Sequence, residues 1–253
     1  MEDALLAARV LTLAIAIPMI LSAEDAKADD CLLDRNNNGN VDLGPSDNDG
    51  GADSFGNDAR LACGIGAQAS GTNSTAVGVT TVASSSGATA VGRSANATAT
   101  ATTALGTSSQ AIELAATSVG NNARALDVST TAIGNSALAD ARSAAAFGSL
   151  ANANGRASIA IGTESRASAE DAIAIGVSSD ATMAGSIAIG GDSSDTGILG
   201  AQATGTGAIA IGEDANASSS DTIALGQLSD ATGTGTIAIG SDGSDANDLG
   251  AQA

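Results

Sequence analysis

Short apolar segments that end in glycine recur every fourteen residues along most of this chain. The recurring glycines are Gly78, Gly92, Gly106, Gly120, Gly134, Gly148, Gly162, Gly176 and Gly190, and the pattern resumes at Gly212, Gly226 and Gly240. A period this short indicates that one structural unit is stacked many times, each copy burying its apolar side on the next. The pattern therefore predicts a rod, a shape that favours binding over catalysis.

Hydrophobic and small residues alternate on both sides of each glycine, which we number position 0. Positions −3 and −1 are apolar, as in Ile159 and Ile161, whereas positions +3 and +5 are small, as in Ser165 and Ala167. Alternation with a period of two predicts strands. Fourteen residues suffice for two strands of about five residues and two tight turns, and the glycine suits a turn with positive φ.

Alanine lies at position −2 in nearly every unit, on the opposite face of the same strand. A thin coil has room for one of these faces in its interior, so we expect the alanine face to need an outside partner. Identical chains present identical stripes, which favours self-association. The sequence thus predicts a homo-oligomer with a subunit contact that is lined by Ala160, Ala174, Ala188, Ala210 and Ala238.

The amino-acid composition argues against two classes of function, nucleic-acid binding and catalysis. The chain has 253 residues, a net charge of −19, nine Lys and Arg residues and no His. Few basic groups are present to neutralise phosphates, which excludes nucleic acid as a partner. Without His, and with only two Cys, most metal and nucleophile chemistry is absent. We expect neither catalytic residues nor a cofactor, and therefore no enzyme.

Three segments are predicted from these patterns. Residues 1–28 are interpreted as a signal peptide, with an apolar core over 11–21 and an Ala-Lys-Ala cleavage pattern at 26–28. Residues 29–55 form an acidic cap or linker that is rich in Asp, Asn and Gly. Residues 56–253 carry the repeat, which we expect to start with glycines at Gly56, Gly66 and Gly78, spaced like Gly190, Gly200 and Gly212.

Two features of the N-terminal region suggest a calcium site and a disulfide bond. Oxygen donors alternate as in a calcium loop at Asp34, Asn36, Asn38, Asn40 and Asp42. The closing acidic residue is missing, and a solvated acidic linker is the alternative interpretation. Cys31 and Cys63 are the only cysteines, and an exported chain with an even count favours a disulfide between them. Two separate buried thiols, with Cys63 at position −3 of its unit, are the alternative.

The repeat resembles the head repeats of YadA-like trimeric autotransporter adhesins. The resemblance rests on units such as Ser158-Ile159-Ala160-Ile161-Gly162 with Ser165 and Ala167, and on Ser186-Ile187-Ala188-Ile189-Gly190. It implies an all-β, left-handed parallel β-roll, a β-solenoid of fourteen-residue coils that forms a homotrimer. It also implies export to the bacterial cell surface, attachment to extracellular matrix or other surfaces, and cell aggregation.

Departures from that family leave alternatives open. No coiled-coil heptads or membrane anchor follow the repeat, so we expect membrane contact only through an anchor that this chain lacks. An ice-binding or structural surface-coat solenoid is the second hypothesis. It rests on threonine runs at Thr98, Thr100 and Thr102 and at Thr232, Thr234 and Thr236, although threonine does not recur at one position in every coil.

Overall fold

A computed structural model of the chain describes residues 52–54, 59–192, 199–241 and 251–253. Throughout these ranges the chain winds as a parallel β-solenoid, with two strands in each coil and two sheets running the length of the rod. The all-β solenoid predicted from the repeat is confirmed. No helix in the described ranges is long and apolar enough to cross a membrane.

The first sheet has thirteen three-residue strands, each ending one residue before a position-0 glycine. They are β1 (Leu61–Cys63), β3 (Thr75–Val77), β5 (Thr89–Val91), β7 (Thr103–Leu105), β9 (Thr117–Val119), β11 (Thr131–Ile133), β13 (Ala145–Phe147), β15 (Ile159–Ile161), β17 (Ile173–Ile175), β19 (Ile187–Ile189), β21 (Ile209–Ile211), β23 (Ile223–Leu225) and β25 (Ile237–Ile239).

The second sheet has twelve two-residue strands, at positions +4 and +5. They are β2 (Gln68–Ala69), β4 (Val82–Ala83), β6 (Asn96–Ala97), β8 (Gln110–Ala111), β10 (Arg124–Ala125), β12 (Leu138–Ala139), β14 (Asn152–Ala153), β16 (Arg166–Ala167), β18 (Asp180–Ala181), β20 (Gln202–Ala203), β22 (Asn216–Ala217) and β24 (Asp230–Ala231). Each strand pairs in parallel with its counterpart in the next coil, so equivalent residues lie directly above one another. The strands are shorter than the five residues that we predicted.

The interior of the rod contains small side chains. Positions −4, −2, +3 and +5 turn inward, and they are occupied by Ala, Ser or Thr in every described coil except the first, where position −4 is Arg60. Ala160, Ala174, Ala188 and Ala210 are 0% exposed in the single chain and Ala238 is 2% exposed. The prediction that these five alanines line a subunit contact is therefore wrong. Two sheets that are joined by such short turns leave room inside for methyl groups but not for isoleucine, so the isoleucines lie outside.

Two turns close each coil, and buried hydroxyl groups satisfy their carbonyls. At one corner the hydroxyl of Ser165 donates to the carbonyl oxygen of Gly162 over 3.0 Å. At the other corner the hydroxyl of Thr130 donates to the carbonyl of Asp127 over 2.6 Å. Such bonds let Ser and Thr replace Ala at most inward positions, because a buried hydroxyl needs a partner. The buried hydroxyl of Ser158 is an exception, since it has no partner among the described residues.

The register at the N-terminal end differs from the expected one. Gly64, with φ +122°, occupies position 0 fourteen residues before Gly78, whereas Gly66 lies two residues later, in the corner. Cys63 consequently lies at position −1, where β1 pairs it with Val77, and not at position −3. Asp53 bridges to Gln68 in parallel, so residues 52–54 already follow the solenoid lattice, before the predicted start at residue 56.

Candidate interaction surfaces

The outer side of the first sheet, formed by positions −3 and −1 and called here the first-sheet face, contains no charged residue over thirteen described strands. Position −1 is apolar in each of these strands, ranging from Val77 to Ile239. These side chains are half-buried or exposed in the single chain; Ile161 is 39% exposed and Ile239 is 67% exposed. An uncharged face of this length on an acidic chain is typical of a contact surface.

The other column of this face changes character along the rod. Position −3 is threonine in five consecutive coils, at Thr75, Thr89, Thr103, Thr117 and Thr131. It is isoleucine in six coils, at Ile159, Ile173, Ile187, Ile209, Ile223 and Ile237. The N-terminal coils thus present one hydroxyl column and one apolar column, and the C-terminal coils present two apolar columns.

The outer side of the second sheet is mainly polar. Asn216 donates from Nδ2 to Oδ1 of Asp230 over 2.8 Å across neighbouring coils. Burial raises the pKa of Asp180, and the neighbouring Arg166 only partly offsets this effect. A depression of about 160 Å³ lies beside these two residues, which is smaller than an ordinary small-molecule site of about 300 Å³ or more.

One corner of the rod differs from the rest over two adjacent coils. Positions +6 and +8 are aliphatic there, at Ile112, Leu114, Leu126 and Val128, which we call the aliphatic patch. Ile112 is 36% exposed and Leu114 is 49% exposed. In the other described coils these two positions carry hydroxyl, amide, charged or alanine side chains. The patch was missed from sequence, although its departure from the repeat at two fixed positions could have revealed it.

The remaining sequence-predicted sites are only partly covered by the described residues. Cys63 is disulfide-bonded, whereas Cys31 lies outside the described residues, and their pairing stays a prediction. The calcium loop from Asp34 to Asp42 also lies outside them. Within the described ranges no group of three His, Cys, Asp or Glu side chains could hold a metal ion.

The threonine runs that suggested ice binding do not lie on one surface. Thr98 and Thr100 lie at the corner, but Thr102 turns inward and is 0% exposed. Its hydroxyl donates to the carbonyl oxygen of Ala99 over 2.6 Å. The threonines that do share an outward column are those at position −3 of the first sheet.

Comparison with known families now assigns the repeat. The YadA head domain repeat (2 copies) matches residues 61–81, 83–109, 114–137, 139–165, 167–193, 203–229 and 217–242, which together cover more than half of the chain. The chain belongs to the YadA head family. Among solved structures, the YadA-like head is similar to the collagen-binding domain of the Yersinia adhesin YadA. That crystal structure is 20% identical, with 71% of this chain and 72% of that chain covered and a TM-score of 0.34. No curated protein matches the sequence.

The repeat of the YadA-like head is therefore of the type found in adhesins. Proteins of this family are in general non-enzymatic and exported to the cell surface. The resemblance recognised from the repeat units is therefore confirmed.

Proposed function

We propose that this chain is a non-enzymatic adhesin head, displayed at a bacterial cell surface, that attaches to extracellular matrix or other surfaces through repeated contacts. The observation that carries the proposal is the match of the head repeat over most of the described coils. The molecule offers long faces with the same chemistry in successive coils. Many weak contacts along such a face gain strength from valency.

The proposed working form is a homotrimer that buries the first-sheet face. This face is uncharged over its whole described length, on a chain with a net charge of −19. Because acidic copies repel one another elsewhere, the uncharged face is where they can approach most closely. Burial of the apolar column at position −1, and of the second apolar column at position −3 in the C-terminal coils, would supply the association free energy.

Replacement of apolar residues on this face tests the trimer. In an Ile175→Glu and Ile189→Glu double variant, six carboxylates would be buried without partners, which is strongly unfavourable. We expect light scattering to give the mass of a monomer for this variant and of a trimer for the wild type.

A double variant on the second sheet serves as the control, because Asn152→Glu and Gln202→Glu change the net charge equally. It should remain trimeric. A trimeric Ile175→Glu and Ile189→Glu protein with an unchanged circular dichroism spectrum would contradict the proposed interface.

Adhesion itself is tested with the purified chain on surfaces coated with a matrix protein. Collagen is a suitable first probe, since the similar solved domain of the Yersinia adhesin is a collagen-binding domain. We expect binding that rises steeply with the density of the coat, as multivalent attachment requires. Equal binding to a coated surface and to a blocked blank surface would refute the adhesin assignment for this ligand class.

Ice binding is the second candidate, and one structural observation favours it. Five threonines lie in register at position −3 from β3 to β11, each one residue away from an apolar neighbour at position −1. These residues lie on the face that the trimer would cover, so ice binding requires an exposed first-sheet face. Thermal hysteresis that disappears in a Thr89→Lys and Thr117→Lys variant would support ice binding over adhesion.

A further inference from the structure

One coil differs from all the other described coils in both columns of the first-sheet face. Strand β13 has Ala145 at position −3 and Phe147 at position −1. No other described strand of this sheet has alanine at position −3 or an aromatic residue at position −1. Phe147 stacks between Ile133 and Ile161 of the adjacent coils. Both Ala145 and Phe147 are half-buried in the single chain, so part of each side chain remains available for contact with a partner.

The coils on either side do not distinguish one level of the rod from the next. From β3 to β11, position −3 is threonine and position −1 is valine, leucine or isoleucine. From β15 to β25, position −3 is isoleucine and position −1 is isoleucine or leucine. A shift of one subunit along another by one coil, about 4.8 Å, would exchange like residues for like within both runs. The repeat alone therefore specifies the register of a bundle only weakly.

Closure of three chains around an axis brings two different columns together. Each chain presents the same two-column face, so the edge formed by position −1 adjoins the edge formed by position −3 of the next chain. Pure rotation keeps equivalent coils at the same level. Phe147 then lies beside Ala145 of the partner subunit, where the short alanine side chain leaves room for the ring. Together the two side chains have nearly the same volume as Thr131 and Ile133 one coil earlier, so the spacing of the subunits is preserved.

We propose that the coil with Ala145 and Phe147 sets the register of the trimer and restricts its partners to further copies of this chain at the same level. In a trimer shifted by one coil, the ring of Phe147 would meet the partner's Thr131 or the partner's Ile159 in place of alanine. Such overfilling is unfavourable in a packed contact. Ala145 would at the same time face a smaller side chain than phenylalanine, which leaves a cavity. Both effects select against shifted chains and against chains with other residues at this level.

This inference rests on the proposed trimeric adhesin head and adds how its subunits recognise one another. Chains in register place equivalent outward residues at the same height on all three sides of the rod. Each layer then offers three copies of the same contact to a surface, which is the arrangement that multivalent attachment uses.

Exchange of the two residues tests the pairing without a change in composition. In a chain with both Ala145→Phe and Phe147→Ala, each ring again meets an alanine of the next chain, and we expect trimers as in the wild type. A mixed trimer with the wild type would contain one contact with ring against ring and one with alanine against alanine. After co-expression of the two chains with different affinity tags, native mass spectrometry should show mixed trimers at about one tenth of their statistical share or less.

Two controls use the same co-expression. Two differently tagged wild-type chains should mix statistically. The exchange Thr131→Ile with Ile133→Thr, one coil earlier, redistributes much less volume, and this chain should mix with the wild type almost freely. Statistical mixing of the Ala145→Phe and Phe147→Ala chain with the wild type would overturn the pairing, although the trimer itself would stand.

A double-mutant cycle distinguishes a contact between chains from one within a chain. Ala145→Ile alone should overfill the contact and Phe147→Ile alone should leave a cavity, and each should raise the dissociation constant of the trimer by about tenfold. Both together recreate the isoleucine pair of β15 and should restore association, so the two effects are not additive. In the Ile175→Glu and Ile189→Glu background, which we expect to be monomeric, denaturant unfolding should show additive effects.

The outcomes separate this contact from the assignments on which it rests. Non-additive effects that persist in the monomeric background would place the contact within one chain and overturn the proposed pairing. A wild type that light scattering shows to be a monomer would overturn the trimer and the pairing together. Separate trimers of the two co-expressed chains would support the pairing even if neither chain bound a matrix-coated surface, a result that would contradict the adhesin assignment alone.

Discussion

Position 0 is where the chemistry of a single residue most limits this fold. At Gly162 the backbone φ is +132°, and a Cβ would overlap the carbonyl oxygen of Gly176 in the next coil. Both the backbone conformation and the close approach of neighbouring coils therefore require glycine. Gly185 also has positive φ, at +65°, but a Cβ there would meet nothing within 4 Å.

Alanine at these two glycines should have very different effects. Gly162→Ala should lower the free energy of unfolding by about 3 kcal/mol or more, because it combines strain with overlap against a backbone that cannot move aside. Gly185→Ala should lower it by only about 1 kcal/mol, from the left-handed conformation alone. Denaturant unfolding measures both, and equal losses would show that stacked coils can separate at position 0.

The opposite substitution, to glycine, can be tested at Leu150, because this leucine has a left-handed backbone conformation. Leu150 has φ +60° at position +2 and is 50% exposed, while Gly66 holds the equivalent place with φ +66°. Leu150→Gly should stabilise the chain by about 0.5–1 kcal/mol, since relief of strain exceeds the extra entropy of the unfolded state. Leu138→Gly, within strand β12, is the matched control and should destabilise it. Loss of stability in both variants would contradict the strain argument.

The carboxyl group of Asp180 makes stability depend on pH. Burial raises its pKa above the ordinary value of 3.8, so the folded state holds the proton more tightly than the unfolded state. This favourable contribution is complete below about pH 3.8 and is lost as pH rises through the folded-state pKa.

Asp180→Asn should therefore raise the melting temperature at pH 7, with the gain fading towards pH 3. Asparagine already occupies the equivalent place at Asn152 and Asn216, and Glu213→Gln on an exposed turn is the control. Thermal unfolding between pH 3 and pH 7 measures the difference in melting temperature between variant and wild type. A rise that is the same at every pH would show that protonation of Asp180 is not its cause.

The alternation of side chains along each strand was predicted correctly from sequence. Which face of the strand lies inside the rod was not. Both Ala160 and Ile161 are apolar, so hydropathy does not distinguish the inner from the outer face. Size does, because Ala, Ser and Thr at four positions of every coil indicate an interior that is too narrow for larger groups. The register of Gly64 was missed since Gly66, a corner residue, resembles the recurring glycine.

Among the strands, the first-sheet face shows two levels of apolar character. Strands β3 to β11 have threonine at position −3, and strands β15 to β25 have isoleucine there. In the proposed trimer, the coils with isoleucine would bury more apolar area per layer. The C-terminal coils should then hold the subunits together more tightly than the N-terminal coils.

Exchange of these residues tests that gradient. Thr89→Ile and Thr103→Ile together should stabilise the trimer, by about 1 kcal/mol for each replaced side chain, whereas Ile187→Thr and Ile209→Thr should weaken it by a similar amount. Hydrogen exchange should show faster opening of β5 than of β19 in the wild type. Uniform protection along the first sheet would contradict the gradient. The sequence was interpreted with the alanine stripe as the subunit contact, so this difference at position −3 was not interpreted as one of subunit contact.

At the scale of the whole molecule, the length of the rod determines how many contacts the head can make with a surface. Deleting residues 79–106 removes two whole coils and joins Gly78 to Thr107 in the correct register. The remaining coils should stay folded and trimeric because each contacts only its neighbours. Attachment to a coated surface should fall by more than the share of coils removed, since valency multiplies contacts. A single substitution such as Asn154→Ala should change attachment little. An equal loss from both changes would indicate one localised binding site.

The alanine-filled interior also bears on how such a molecule changes over generations. Since the inward positions require the same small side chains in every coil, any coil can follow any other without a misfit at the junction. The segment from Gly176 to Ala203 recurs in closely similar form from Gly226 to Ala253, as a tandem duplication would leave it. Recombination between repeats can therefore alter the reach of the head in whole steps, while the outward positions diverge independently.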